Sequence, residues 1–236
     1  MKLMHEFSPD HVSEDIELQA VNFSSYLLEW LAHVPRWRDY YLANDQSGTY
    51  AYLKRGLQVL TYIQGPNRWV LKCPQHMEQL PVLKNTFPDA TFVITHRDPV
   101  ASIQSAITMS CYAARVFRRR IDTRGYLDYW VDRYQRLLRR CVDDRGCLPD
   151  AQTLDVYFHE WTRDPDTILR EIYRRADLPL TDEILAELHA YLKAHEHGAS
   201  GKVVYNLTRD FDVTAAEIRS KFDFYFKRFA VVPEVK

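Results

Sequence analysis

Four side chains stand where they could handle an anion: Lys72, His76, Arg97 and Ser105. Lys72 directly follows the apolar run Trp69-Val70-Leu71. A lysine there is not core material and must reach water, a carboxylate or a ligand anion; a salt bridge at a sheet edge is the plain alternative. His76 closes the string Lys72-Cys73-Pro74-Gln75-His76. An unshifted imidazole is largely neutral at pH 7 and could act as a general base, or it could be a structural hydrogen-bonding group. Arg97 follows a second apolar run, Phe92-Val93-Ile94, and precedes Asp98-Pro99. A capping carboxylate followed by proline opens a helix, whose free N–H groups and positive dipole end attract anions. Ser105 shares a helix face with Ala101 and Thr108, so its hydroxyl could add a donor to the same anion. A surface pairing of Arg97 with Asp98, with Ser105 merely packed, fits these residues equally well.

These groups need elements to hold them. Ile16, Ala20, Phe23, Leu27, Trp30 and Leu31 predict an amphipathic helix over residues 13–32, ended by Pro35. A second helix runs from Thr49 to Gln64 and stops at Gly65-Pro66. Trp69-Val70-Leu71 reads as a short buried strand, and Leu80, Leu83 and Phe87 as one helix face with Pro81 in its first turn. Pro88-Asp89 is a turn, and Phe92-Val93-Ile94 a second buried strand. Residues 68–112 therefore predict a parallel βαβα unit, which puts the carboxyl ends of both strands, with Lys72 and Arg97, on one sheet edge. Downstream, Leu127, Trp130, Tyr134, Leu137 and Cys141 mark a long helix closed by Arg145-Gly146. Residues 153–158 form a third, partly alternating strand candidate. Asp164-Pro165 starts another helix, a further one covers Thr181 to Ala194, and His195 to Tyr205 is a polar loop. Ile218, Phe222, Tyr225 and Phe229 mark a last helix.

Composition bounds the function. The 236 residues carry 46% hydrophobic side chains, enough for a sizeable core, and form one expected domain over residues 1–236. With 31 Lys+Arg against 32 Asp+Glu the net charge is −1, so no global field recruits nucleic acid or an anionic membrane, and any anion site is local. Seven glycines and 11 prolines favour helices over low-complexity classes. Cys73, Cys111, Cys141 and Cys147 form no CxxC pair, which suits a reducing compartment. No apolar run approaches the ~20 residues that span a bilayer, and the first residues lack a signal-peptide core. A cytoplasmic protein without a transmembrane segment is expected. His195 and His197 lack a third metal ligand. Two strings mislead. His96-Arg97-Asp98 matches the start of a kinase catalytic loop, yet Ile103 stands where its asparagine belongs. Gly198-Ala199-Ser200-Gly201-Lys202 lacks the spacing and the hydroxyl residue of a phosphate loop.

Taken in order, Trp69-Val70-Leu71-Lys72-Cys73-Pro74-Gln75-His76, Phe87-Pro88-Asp89-Ala90 and Thr95-His96-Arg97-Asp98-Pro99 with Ser105 resemble the sulfotransferases that use 3′-phosphoadenosine 5′-phosphosulfate (PAPS). The likeness is to the bacterial type with a Leu-Lys-Ser-Pro-x-His segment. It extends through Asp155-Val156-Tyr157-Phe158 and Gly201-Lys202-Val203-Val204-Tyr205 to the Phe222–Phe229 helix. The resemblance implies an α/β, P-loop-like fold with a short parallel sheet flanked by many helices. It assigns Arg97 and Ser105 to the nucleotide 3′-phosphate, closes a loop through Gly201 and Lys202 over that phosphate, and sets Phe158 beside the adenine. Lys72 matches the lysine that approaches the transferring sulfuryl group, and His76 a histidine that could serve as base. The implied reaction needs PAPS and no metal, and delivers sulfate to an alcohol, phenol or lipid hydroxyl, or to an amine. Family members open with a strand and an Arg-Ser-Gly-Thr-Thr-like loop that cradles the phosphosulfate. The nearest string here, Gln46-Ser47-Gly48-Thr49, precedes a helix, so the first strand and that loop are expected to be missing. Cys73 replaces the commoner serine, and Asp212 stands where glycine is usual. The alternative expectation is an inactive remnant that binds only the 3′-phosphate half of the nucleotide.

Overall fold

The computed structural model describes residues 13–195 and 203–236. Two strands, β1 (Phe92–His96) and β2 (Thr153–Tyr157), pair in parallel, with Phe92 opposite Thr153 and His96 opposite Tyr157. Ahead of β1 lie α1 (Ile16–Val21), α2 (Leu27–Leu31), α3 (Pro35–Ala43), α4 (Ser47–Gln64), a 3₁₀ turn over Pro74–Glu78, and α5 (Leu80–Thr86). The crossover from β1 to β2 is made by α6 (Pro99–Ala114) and α7 (Thr123–Asp144). After β2 come α8 (Phe158–Arg163), α9 (Pro165–Arg175), α10 (Asp182–Ala194), α11 (Leu207–Phe211), α12 (Ala215–Ser220) and α13 (Asp223–Arg228). The result is a helix-rich α/β fold around a short parallel sheet.

Local chemistry explains the elements that matter for the site. β1 alternates: Phe92, Ile94 and His96 point into the core, Val93 and Thr95 away from it. The Asp98 side chain accepts a hydrogen bond from the Val100 N–H (2.9 Å), and Pro99 occupies the first turn of α6. Val100, Ile103, Ile107 and Ala114, spaced by three, four and seven, bury one face of α6. α7 buries Leu127, Trp130, Leu137 and Cys141 and is capped by Asp122, which accepts from the Gly125 N–H (2.8 Å). These two helices and the aromatic cluster of Tyr26, Trp30 and Trp130 form the centre of the core.

Several expectations require correction. Trp69-Val70-Leu71 is not a strand: it runs in an unpaired loop with Val70 91% exposed. Three residues without a ladder neighbour cannot satisfy their backbone groups as a strand, and the Trp69 indole instead donates to Thr61 Oγ1 on α4 (2.9 Å). The parallel unit is therefore β1–α6–α7–β2, and Lys72 does not sit at a strand end. The single helix expected over residues 13–32 is two, α1 and α2, broken at Phe23, whose φ of 56° is left-handed. Ser25 competes with the helix there: its hydroxyl donates to the Ile16 carbonyl (2.6 Å) and accepts from the Leu27 N–H (3.2 Å). Pro35 opens α3 rather than ending a helix, and the terminal helix is split into α12 and α13. No helix among the described residues is long and apolar enough to cross a membrane.

Candidate active site

Arg97 leaves β1 and Phe158 leaves β2, each one step past the last paired residues. The shared register sets the two side by side, and the Arg97 guanidinium carbon lies 4.0 Å from the Phe158 ring centroid. Arg97 does not pair with Asp98. Its Nε donates to both Glu234 carboxylate oxygens (3.0 Å each) and its Nη2 to one of them (2.7 Å). Asp98 turns inward, fully buried, and serves the helix cap and the C-terminal backbone. Ser105 lies six residues beyond Pro99, roughly 9 Å along the α6 axis. Its Oγ accepts a hydrogen bond from the Tyr205 hydroxyl (3.2 Å). Gly201 and Lys202 lie outside the described residues.

The Lys72–Glu78 segment is held by its own clips. Gln75, fully buried, fills the break between α1 and α2: its Oε1 accepts from the Tyr26 N–H (2.6 Å), and its Nε2 donates to Gln19 Oε1 (2.6 Å) and the Ser24 carbonyl (3.0 Å). Glu78 at the far end binds Arg133 on α7 through two hydrogen bonds of 2.6 Å. Arg133 also donates to Glu29 (2.8 Å), which accepts from the Tyr129 hydroxyl (2.6 Å). Burial pushes the Glu29 carboxyl above its ordinary range, the Arg133 charge opposing that only in part.

Within this frame Lys72 is exposed and its Nζ pairs with Glu14. His76 is largely enclosed, its Nδ1 2.9 Å from the Tyr50 hydroxyl and its Nε2 3.1 Å from Asp15 Oδ2. Burial alone would raise the Asp15 carboxyl, but hydrogen bonds and charge from His76 and a bond from Gln19 outweigh it and hold it low. Cys73 is buried, and burial pushes its thiol well above the usual range, so it adds no reactive thiolate.

Geometry thus brings Arg97 and Phe158 together, and gives Lys72 and His76 acidic partners from the segment leading into α1. Sequence reasoning missed Asp15, Gln75, Glu234 and the Glu29–Arg133–Glu78 cluster. One signal for the last was present: the spacing of Trp130, Arg133 and Leu137 places an arginine on the apolar stripe of α7. Beside this cluster a cleft of about 320 Å³ opens between α2 and the facing ends of α6 and α7. Trp30, Leu31, Ala113, Ala114, Phe117 and Tyr126 give it apolar walls, and Glu29, His33, Ser110 and Arg118 its polar points. Ser110 Oγ is buried there without a hydrogen-bond partner. Burial, helped by the Arg118 charge, lowers the His33 pKa and keeps its ring neutral at pH 7. Among the described residues no three His, Cys, Asp or Glu side chains gather as a metal site.

A short parallel sheet with an arginine at its carboxyl edge, followed by a proline-started helix, is placed to bind an anionic ligand at that edge. Solved structures similar to it are sulfotransferases. STF9 from Mycobacterium avium superposes with a TM-score of 0.84 at 25% identity, over 99% of this chain and 62% of that one. STF1 from Mycobacterium tuberculosis H37Rv gives 0.79 at 27% identity, over 92% and 56%. Residues 1–182 match the model of the Sulfotransferase family, and the chain belongs to that family. The omega-hydroxy-beta-dihydromenaquinone-9 sulfotransferase Stf3 of Mycobacterium bovis and Mycobacterium tuberculosis is 28% identical over 127 residues, 53% of this chain and 33% of the relative. The chain is therefore much shorter than the proteins it matches.

Proposed function

We propose that the chain serves transfer of a sulfuryl group from PAPS to a hydroxyl acceptor. The observation that carries this reading is the Arg97–Phe158 pair at the carboxyl edge of β1 and β2, a cation already holding an oxyanion beside an aromatic face. Arg97 and Ser105 bind the nucleotide 3′-phosphate, with Gly201 and Lys202 as further ligands of it, and Phe158 borders the adenine. The sulfuryl sulfur moves in line from the bridging phosphate oxygen to the acceptor oxygen. The S–O bond to adenosine 3′,5′-bisphosphate breaks as the new one forms. As in phosphoryl transfer, positioning and charge stabilisation do most of the work. Lys72 stabilises the leaving phosphate once it lets go of Glu14. His76 takes the acceptor proton at Nδ1, which requires the acceptor hydroxyl to replace Tyr50 there; Asp15 balances the imidazolium at Nε2.

The cleft walled by Trp30, Phe117 and Tyr126 suits an apolar acceptor bearing a hydroxyl. The Stf3 relative, named for a hydroxylated dihydromenaquinone, supports that class. The test is transfer of labelled sulfate from PAPS to a panel of apolar alcohols and phenols, with titration of adenosine 3′,5′-bisphosphate alongside. Arg97→Ala is expected to weaken nucleotide binding at least tenfold, about 1.4 kcal/mol or more. Lys72→Ala is expected to lower kcat more than nucleotide affinity, because its charge is matched to the transition state. Equal losses in both would reassign Lys72 to ground-state binding. Binding without transfer to any acceptor would identify a half-site remnant, and a folded chain with neither overturns the reading.

A further inference from the structure

The C-terminal segment after α13 returns across the start of α6 and is bolted there. The Asp98 carboxylate, completely buried, uses Oδ1 to cap α6 and Oδ2 to accept from the backbone N–H groups of Glu234 (2.8 Å) and Val235 (3.3 Å). Arg219 on α12 reaches the same Oδ2 (3.5 Å) and the Val235 carbonyl. Val231 and Val235 pack against the core. This anchoring aims the Glu234 side chain at one edge of the Arg97 guanidinium, where it receives the Nε and Nη2 bonds, and Glu234 Oε1 also faces the Asp98 N–H at 3.4 Å. The opposite carboxylate oxygen and the ring of Phe158 leave Arg97 held between an acid and an aromatic face.

We propose that this segment is a built-in competitor for the anion site, with the Glu234 carboxylate standing where a ligand phosphate must bind. The inference rests on Arg97 being the nucleotide 3′-phosphate ligand. A phosphate dianion and a carboxylate both seek the same two-donor edge of the guanidinium, and that edge accommodates one of them at a time. Because Glu234 is tethered through Asp98, it competes at a high effective concentration. Bound nucleotide therefore displaces the Glu234 side chain, and the measured affinity is the intrinsic one divided by the cost of that displacement. A dianion wins the exchange when supplied, while monoanions and stray carboxylates do not.

The test is calorimetric titration of adenosine 3′,5′-bisphosphate and adenosine 5′-monophosphate into the full chain and into Glu234→Gln, Glu234→Ala and Arg97→Ala, with thermal melts to verify that each is folded. Removing the acid is expected to tighten bisphosphate binding about three- to tenfold, as removal of a partly exposed bidentate pair would. Binding of the monophosphate, which lacks the 3′-phosphate, is expected to stay the same. Equal bisphosphate affinity in the parent and both Glu234 variants, with binding still lost in Arg97→Ala, overturns the competitor and leaves the Arg97 assignment standing. Weaker binding to the Glu234 variants overturns it too, as does an equal gain for the monophosphate. Bisphosphate affinity indifferent to Arg97→Ala, or no binding to any folded form, removes the assignment and the competitor together.

Discussion

Each basic residue of the candidate site already has an acidic partner: Glu14 for Lys72, Asp15 for His76, Glu234 for Arg97. At this scale, function is a matter of exchange, since an anionic ligand must replace carboxylates rather than fill bare cations. Thiols offer a separate check. Burial raises the thiol pKa at Cys73, at Cys111 to about 11 and at Cys141 to about 12; burial and Asp144 raise it at Cys147 as well, but that side chain is exposed. Brief maleimide treatment of the folded chain at pH 7.5 is expected to label Cys147 first, and Cys73 only after denaturation. Peptide mass mapping reads the order, and early labelling of Cys73 would show that the Lys72–Glu78 segment opens. The lysine and histidine were recognisable by type and by their string; their acids were not, because Glu14 and Asp15 lie about sixty residues away and touch them only through packing.

The two strands are joined by more than their ladder. His96, buried on β1, is bound on one side by the Tyr225 hydroxyl (2.7 Å) and on the other by Asp155 of β2 (2.8 Å), which also takes a bidentate bond from Arg145. Burial alone would raise the Asp155 carboxyl, but His96 and Arg145 outweigh it and hold its pKa to about 2. A depressed carboxylate contributes stability that is present above the unfolded pKa near 4 and is lost as pH falls through about 2. Asp155→Asn is expected to cost about 2 kcal/mol at pH 7, with a much smaller difference from the parent near pH 2. Urea melts across that range measure it, and a pH-independent gap would assign the loss to packing instead. The strand–cap–helix sequence from Phe92 to Ala114 was legible because alternation, the Asp98 cap and Pro99 are local signals. Trp69-Val70-Leu71 misled because an apolar run becomes a strand only where a neighbouring backbone pairs with it.

For the molecule as a whole, the buried Glu29–Arg133–Glu78 cluster ties α2, the 3₁₀ turn that carries His76 and α7 into one body. Arg133→Met is expected to destabilise the chain by about 3–5 kcal/mol, because two buried carboxylates lose their counter-charge. Adding Glu29→Leu and Glu78→Leu is expected to restore most of that loss, and denaturant melts of the single and triple variants decide it. If the triple variant stays as unstable as the single one, the cluster matters through geometry rather than charge. The sequence by itself determined the helix-rich α/β class, the proline-started helix after Arg97, and the family likeness, all of which rest on short-range spacing and local caps. Only the tertiary structure decided which carboxylate each cation meets, that Gln75 rather than a strand holds Lys72 in place, and that Glu234 comes to lie on Arg97. Those partners come from distant parts of the chain, and a charge's partner is set by how helices pack, a property that no local periodicity encodes.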